Sequence, residues 1–419
     1  MKIAIWHNLF SGGGSRALHQ HIKGLAERGH HLEVWTSSLA DSSFLDVEAY
    51  IQKLHVLPLD MNVRIRYQYL DKLPALGFEP DTQVRRMLDF CRLCADEINA
   101  GGFDVLFANS CVYFMMPYIG RFVNIPKVLY LGEPNRALFE AHPDLVWEGL
   151  PSASNNWRDR RYWGDFWDDL FRVRQARVRV REEIQNFRSY DKVLVNSYFS
   201  SESTVRAYGR AGEVCYLGVD TNLFPFLDLP REPFVMGLGA FYPPKKAETA
   251  IEALAQIPAN RRPPLIWIGN MGNHEYVAKL RQLSQQLNVQ FEPRERISQP
   301  ELIRLLNTAS CLLYTSSLEP FGLAPLEANS CGLPVVAVAE GGVRETIIDG
   351  YNGLLRSRDP VALAHAVEDI MTNDALFERL SINARQVVRD QWTLNKAIDR
   401  VETALVDTVN GKKPALRPV

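Results

Sequence analysis

Short apolar runs alternate along the chain with stretches of helical periodicity. Residues 2–6, KIAIW, read as a buried strand, and a polar, glycine-rich loop, HNLFSGGGSR, follows. ALHQHIKGLAERGHHLEVWTSS then supplies a helix, a stop at Gly29 and a second strand. Such a β-loop-α-β unit of about 36 residues opens a doubly wound parallel sheet. FDVLFANS, KVLYLG and KVLVNS predict further strands, and DTQVRRMLDFCRLCADEINA predicts a helix between them. A second series starts near Pro233: strands FVMGLGAF, PLIWIGN, VQFEP, SCLLYTSS and PVVAVA alternate with helices KAETAIEALAQI, YVAKLRQLSQQL, QPELIRLLNTA and APLEANSCG. VRETIIDG and DPVALAHAVEDIMT predict two more helices, and NKAIDRVETALVDTV a last one before the basic, frayed tail NGKKPALRPV.

The pattern predicts two doubly wound α/β domains, residues 1–228 and 229–394, joined through GVDTNLFPFLDLPREP. Residues 395–419 are expected to return to the first domain as a helix and tail. The two series share no period, which excludes a repeat array. A length of 419 residues suits two cores. At 46% hydrophobic and 23% charged residues the composition is that of an ordinary globular protein.

A net charge of -2 gives no global reason to expect nucleic acid. The six cysteines lack a disulfide rhythm and fit a reducing cytoplasm. Cys91 and Cys94 form a C-x-x-C within a helical stretch, with no second Cys/His pair nearby, and are read as core thiols. The chain enters a strand directly from Met1, so no signal peptide is expected, and no apolar run approaches the ~18 residues that cross a bilayer.

Three stretches carry chemistry. Gly12, Gly13 and Gly14 follow the first strand and open a helix, where backbone N–H groups favour an anion. The spacing is not G-x-G-x-x-G, and a tight turn explains it equally well. In GAFYPPKK, Lys245 emerges at the carboxyl end of a strand, the ligand side of a doubly wound sheet. In SSLEPFGLAPLEANSCGLP, Glu319 lies in a loop above the sheet and Glu327 in the first turns of a helix. Pro325 is tolerated in the first turn, and Gly332 with Pro334 ends the helix. The two carboxylates flank the Phe321-Gly322 turn and suit acid/base work, a metal or hydroxyl groups; the competing reading is solvated charge, with Glu327 a structural glutamate of the first turns.

The run SSLEPFGLAPLEANSCGLPVVAVAEGGVRETIIDGYNGLL, with its E-x7-E core, closely resembles the signature of retaining, nucleotide-sugar-dependent glycosyltransferases of family four, which have the GT-B fold. SGGGSRALHQHIKGLAERGHHLEVWTS, VLVNSYFSSESTVRAYG and GAFYPPKKAETAIEA extend the resemblance over nearly the whole chain. The resemblance implies an N-terminal acceptor-binding domain and a C-terminal nucleotide-sugar domain facing a central cleft. It implies that Glu327 holds the ribose hydroxyls. Glu319 would stand by the transferred hexose, with the N–H groups of Phe321, Gly322 and Leu323 near the sugar and diphosphate. Lys245 would neutralise the leaving diphosphate, aided by Gly12–Gly14, with no metal and no other cofactor. The chain departs from many relatives at Gly239-Ala240, where they have Gly-Arg, and at Gly132-Glu133, where they have a histidine. Glu133 is thereby a candidate acceptor-side group or an ordinary loop glutamate.

A segment between Phe139 and Ser189 interrupts the α/β alternation and is rich in Trp and Arg. Trp147, Trp157, Trp163 and Trp167 suit a sugar or lipid-linked acceptor, and Arg172, Arg174, Arg177, Arg179 and Arg181 an anionic membrane surface or an acceptor diphosphate. The competing reading is a long solvated helix with its aromatic side in the core. WDDL around Asp168 reads as a helix start. The expected activity is retaining transfer of a hexose from a nucleotide-diphosphate sugar to a saccharide or lipid-linked acceptor, in glycan or glycoconjugate biosynthesis. The expected setting is the cytoplasm or the inner face of its membrane. The alternatives are a GT-B epimerase or phosphorylase, or a non-catalytic sugar-nucleotide-binding protein.

Overall fold

Two parallel sheets organise the chain, each the centre of its own α/β unit. The computed structural model describes residues 1–10, 12–40, 46–61, 82–142, 144–146, 148, 154–270 and 272–411. One unit comprises Met1–Asn196, Ser200–Cys215 and Ile398–Val419, the other Ser197–Phe199 and Tyr216–Ala397.

The first unit holds strands β1 (Lys2–Asn8), β2 (His31–Ser37), β3 (Lys53–Leu57), β4 (Val105–Cys111), β5 (Lys127–Gly132), β6 (Lys192–Val195) and β7 (Glu213–Val214). Its helices are α1 (Gly13–Glu27), α2 (Thr82–Ala100), α3 (Arg136–Phe139), α4 (Arg160–Arg188) and α5 (Tyr198–Tyr208), the last entering from the other unit's short segment. The strand order is β3-β2-β1-β4-β5-β6-β7, all parallel. Buried on both faces, the inner strands read as continuous apolar runs. The edge strands β3 and β7 are short and partly polar, and so escaped the sequence pattern.

α2 carries Cys91 and Cys94 into the core beside Trp6, Met87 and Phe90. Burial raises the Cys91 thiol well above its ordinary value and pushes Cys94 up to about 12. Both are held in the neutral thiol form that packs as a small apolar group.

From Ile398 the chain belongs to the first unit. A Cβ on Gly24 of α1 would stand 2.4 Å from Cγ1 of Ile398, so the close approach of the last helix requires glycine there. Arg28 pairs with Asp399 at 2.6 Å and with Glu402 at 2.5 Å. Residues 412–419 of the expected tail lie outside the described residues.

The second unit holds β8 (Val235–Leu238), β9 (Leu265–Gly269), β10 (Phe291–Glu295), β11 (Cys311–Tyr314), β12 (Val335–Val338) and β13 (Gly353–Arg356), in the order β10-β9-β8-β11-β12-β13. Its helices are α6 (Ala247–Gln256), α7 (His274–Gln286), α8 (Gln299–Thr308), α9 (Leu323–Ser330), α10 (Val343–Thr346), α11 (Pro360–Thr372) and α12 (Asp374–Gln391). The final helix α13 (Leu394–Val409) leads out of it. The structure adds β13 and α12, which the sequence pattern did not separate from their surroundings.

In each sheet the order reverses once, between β1 and β4 and between β8 and β11. Ligands of doubly wound sheets bind beyond the carboxyl ends of the strands at this reversal. Gly12–Gly14 follow β1, Lys245 follows β8 and Glu319 follows β11.

Candidate donor site and its loops

Lys245 closes a turn of 3-10 helix, Pro243–Lys245, directly before α6. Its Nζ stands 2.6 Å from Oε2 of Glu319. Burial alone would raise the Glu319 carboxyl. The Lys245 ammonium, with hydrogen bonds from Lys245, Ser316 and Tyr314, outweighs it and holds the group below its ordinary value. Glu319 is therefore a carboxylate at neutral pH. Tyr314 shifts the opposite way, raised by burial and by the neighbouring Glu319 charge.

Backbone contacts zip the two loops together. The Thr315 hydroxyl reaches the Lys246 carbonyl at 2.8 Å, and the Ser317 N–H donates to Pro244 at 2.8 Å. Behind Glu319 lies a support that sequence reasoning missed. Arg358 donates to the carbonyls of Thr315 at 2.7 Å and Ser316 at 3.1 Å. It also grips Glu340 with Nε at 3.0 Å and Nη2 at 2.7 Å. Glu340 accepts in turn from the Leu318 N–H at 3.3 Å. Leu318 has φ 46, a left-handed backbone that a leucine adopts only when its surroundings impose it.

Gly341 and Gly342 complete the cradle. The Gly342 N–H donates to Glu319 O at 2.8 Å, and a Cβ on Gly341 or Gly342 would fall 2.3 Å from Glu319 O or 2.1 Å from Pro320 O. The glycine pair was visible in AEGGV; Arg358, distant in sequence, carried no signal.

Gly322, at φ 95, is the N-cap of α9. Phe321 turns its ring inward against Tyr216 and Trp392, with centroids 6.0 and 5.7 Å away, which anchors the turn. Only the backbone of Phe321 is thus on offer to a ligand. Leu323 is the first residue of α9, and Glu327 lies buried one turn later. A buried network steadies the far end of α9: Asn352 Nδ2 donates to Asn329 Oδ1 at 2.8 Å, and Asn329 Nδ2 to Leu333 O at 3.1 Å. The second unit therefore brings Lys245, Glu319, Phe321, Gly322, Leu323 and Glu327 onto two adjoining loops and one helix start.

The remaining candidates lie in the first unit. A Cβ at Gly12 or Gly13 would meet nothing within 4 Å among the described residues, so packing does not demand glycine. The Gly12 N–H is taken by the Ser15 hydroxyl at 3.0 Å. Glu133 follows Gly132, whose φ is 74, and its Oε2 stands 3.6 Å from Nη1 of the buried Arg136. His7, at the end of β1 beside the glycine turn, was not singled out by sequence. Burial lowers its ring to about 4 and keeps it neutral.

The aromatic segment departs from the core-packed reading. Asp159 caps α4, accepting from the Arg161 N–H at 3.0 Å, so Asp168 lies within the helix and does not start it. Trp157, Trp163 and Trp167 are exposed, and Trp147 lies outside the described residues.

Comparison with known proteins places the chain in a family. The model of Glycosyltransferase Family 4 matches residues 11–223, just over half of the chain, and that of Glycosyl transferases group 1 matches residues 220–387. The chain belongs to glycosyltransferase family 4. It is 32% identical over 226 residues to a D-inositol 3-phosphate glycosyltransferase of Nocardioides sp., covering 47% of each chain. It is 30% identical over 229 residues to the human alpha-1,3/1,6-mannosyltransferase ALG2, covering 48% of this chain and 55% of that one. The matches thus span about half the length of these curated relatives.

Among solved structures, Anabaena HepE in complex with UDP and glucose matches with a TM-score of 0.68 at 19% identity, over 97% of this chain and 99% of that one. Sucrose-phosphate synthase from Thermosynechococcus elongatus matches with a TM-score of 0.70 at 20% identity, over 98% and 100%. At these identities the likeness shows the fold, which is the GT-B fold of two Rossmann-like α/β units.

Proposed function

We propose that the protein is a retaining glycosyltransferase that moves a hexose from a nucleotide-diphosphate sugar to a saccharide or lipid-linked saccharide. The observation that carries this reading is the Lys245–Glu319 pair at the β8/β11 reversal, with Glu327 on the adjoining helix. Family membership supports it, as does the similarity to a D-inositol 3-phosphate glycosyltransferase and an alpha-1,3/1,6-mannosyltransferase. So does HepE, solved with UDP and glucose.

In the proposed mechanism Glu327 accepts hydrogen bonds from the two ribose hydroxyls, a task suited to two carboxylate oxygens. Lys245 and the N–H groups at the start of α9 meet the diphosphate, whose charge grows as the glycosidic bond breaks. Glu319 stands by the hexose. Because Lys245 already neutralises it, Glu319 acts as an electrostatic and hydroxyl-orienting group, and we favour a front-face route in which the departing phosphate takes the acceptor proton. In the first unit the open N–H edge at Gly13 and Gly14 suits an anionic group, and Glu133 is the candidate on the acceptor side.

The positive charge that faces the leaving diphosphate would come from Lys245 and the start of α9, so we propose that no metal ion is required. The proposed setting is the cytoplasm, at the inner face of its membrane where the acceptor is lipid-linked. Proton NMR of products from a panel of UDP-, GDP-, ADP- and dTDP-sugars, with and without EDTA, tests the reading. Retention of the anomeric configuration in both conditions is expected; an inverted product, or activity abolished by the chelator, overturns it.

A further inference from the structure

Helix α4 has 29 residues, about 43 Å at 1.5 Å per residue, yet its first buried side chain is Ala176. The preceding turns carry Trp163, Phe166, Trp167 and Leu170 at i, i+3, i+4 and i+7, a single row along the helix. Each is between 42% and 46% exposed. Trp163–Phe166 and Phe166–Trp167 meet edge to face at 5.7 and 5.6 Å. Trp157, 62% exposed, precedes the helix, and its carbonyl accepts from Trp163 Nε1 at 2.8 Å. A contiguous apolar row of this size marks an interaction surface; scattered exposed apolar residues do not.

The row points away from the core. Taking about 100° per residue, the buried Ala176, Glu183, Asn186 and Phe187 lie roughly 140–240° around the helix from Trp163. Asp165, Asp168 and Asp169 fall in that same rear sector. Arg174, Arg177 and Arg181 continue the aromatic row itself, within roughly 40° of its line. Among the described residues neither Arg174 nor Arg177 has a carboxylate within ion-pairing distance. Aromatic and leucine side chains thus give way along one line to Arg174, Arg177 and Arg181, the last of them paired with Glu182 at 2.7 Å, while Arg172 and Arg179 lie in the rear sector with the aspartates.

We propose that this face of α4 docks on an anionic phospholipid surface. The tryptophans, Phe166 and Leu170 seat at the boundary between headgroups and acyl chains, and the arginines lie against lipid phosphates. A second copy of the face offers arginines no carboxylate, whereas a lipid surface offers both phosphate and apolar depth. No helix among the described residues is long and apolar enough to cross a membrane, so α4 would lie on the surface. The proposal does not rest on the transfer chemistry, because vesicle binding is read without donor or acceptor.

The test is co-sedimentation of the full chain with vesicles of phosphatidylcholine alone and with equal parts of phosphatidylglycerol, at low and high salt. Binding to the anionic vesicles at low salt is expected, with tryptophan fluorescence quenched by brominated lipid. Trp163→Ser with Trp167→Ser should weaken it by about tenfold or more. Arg174→Gln with Arg177→Gln should weaken it by about thirtyfold, at about 1 kcal/mol for each charge. All four positions are exposed, and circular dichroism checks that the variants fold. Absent binding at low salt, or equal binding by all variants, overturns the proposal. So does self-association that the tryptophan variants abolish while vesicles bind nothing, which would assign the face to a second copy.

Discussion

Lys245 Nζ and Glu319 Oε2 lie 2.6 Å apart, although the loops that carry them leave different strands. Both side chains are about a quarter exposed, so the pair is partly screened and its intrinsic contribution to stability is small. Its consequence is functional: the ammonium proposed to meet a diphosphate is already shared with a carboxylate. Glu319→Gln should therefore tighten binding of a free nucleoside diphosphate by up to about 1 kcal/mol, the scale of such a pair, while slowing turnover strongly. Lys245→Ala should weaken that binding. Calorimetry on both variants checks this, and weaker nucleotide binding by Glu319→Gln would contradict the shared-ammonium account.

Glu327 is buried beside the first turn of α9, where loss of the carboxylate proposed to bind the ribose hydroxyls cannot be made up by water. Glu327→Ala is expected to weaken nucleotide-sugar affinity by about 1–3 kcal/mol, the cost of leaving buried polar groups unpaired. Unchanged affinity in a variant with native circular dichroism would remove Glu327 from the donor site.

Arg358 is a positioning residue, since it acts through the Thr315–Glu319 loop that it grips. Arg358→Ala would release two carbonyls and remove the guanidinium that grips Glu340. The strained Leu318 would then relax and Glu319 would drift from its place. The expected result is a fall in kcat of about tenfold or more with nucleotide affinity nearly kept, because misplacement acts on the reacting centre. Arg358→Lys should restore only part of it, lacking the fork that binds Glu340 twice. Parallel losses in kcat and affinity would indicate general unfolding of the site.

Glu183, buried on α4, accepts from the Met116 N–H at 3.1 Å and the Tyr208 hydroxyl at 3.2 Å. Burial raises its carboxyl from 4.5 to about 8, against those hydrogen bonds. The folded state thus keeps a proton that the unfolded state releases above its own pKa, so Glu183 costs stability as pH climbs from 4.5 towards 8. Glu183→Gln should gain stability relative to the parent across that window, read by urea unfolding at several pH values. The buried His21, lowered to about 4, acts in the other direction below 6.5 and is unchanged by this variant. A variant whose advantage shrinks with rising pH would contradict the assignment.

Much of this protein follows from local sequence. Apolar runs bounded by turn residues locate the inner strands, because a strand buried on both faces has no polar side to blur it. The carboxyl-end position of Lys245, the Glu319–Glu327 spacing and the Phe321-Gly322 turn are also local, each lying within one strand-loop-helix segment. Tertiary structure decided the rest. That Lys245 neutralises Glu319 depends on β8 and β11 being neighbours, a pairing set by strand order and not by separation along the chain. Arg358 reaches its loop from beyond β13, and a lone arginine in sequence looks like any solvated charge. The face of α4 that meets the core could not be told from its own pattern, since both an aromatic row and a row of Ala176, Glu183 and Phe187 recur at helical spacing. Periodicity says that a helix has two sides. Only packing against the segment that follows β4 and against Tyr208 of α5 selects the side with Glu183, Asn186 and Phe187, and leaves the tryptophans outside.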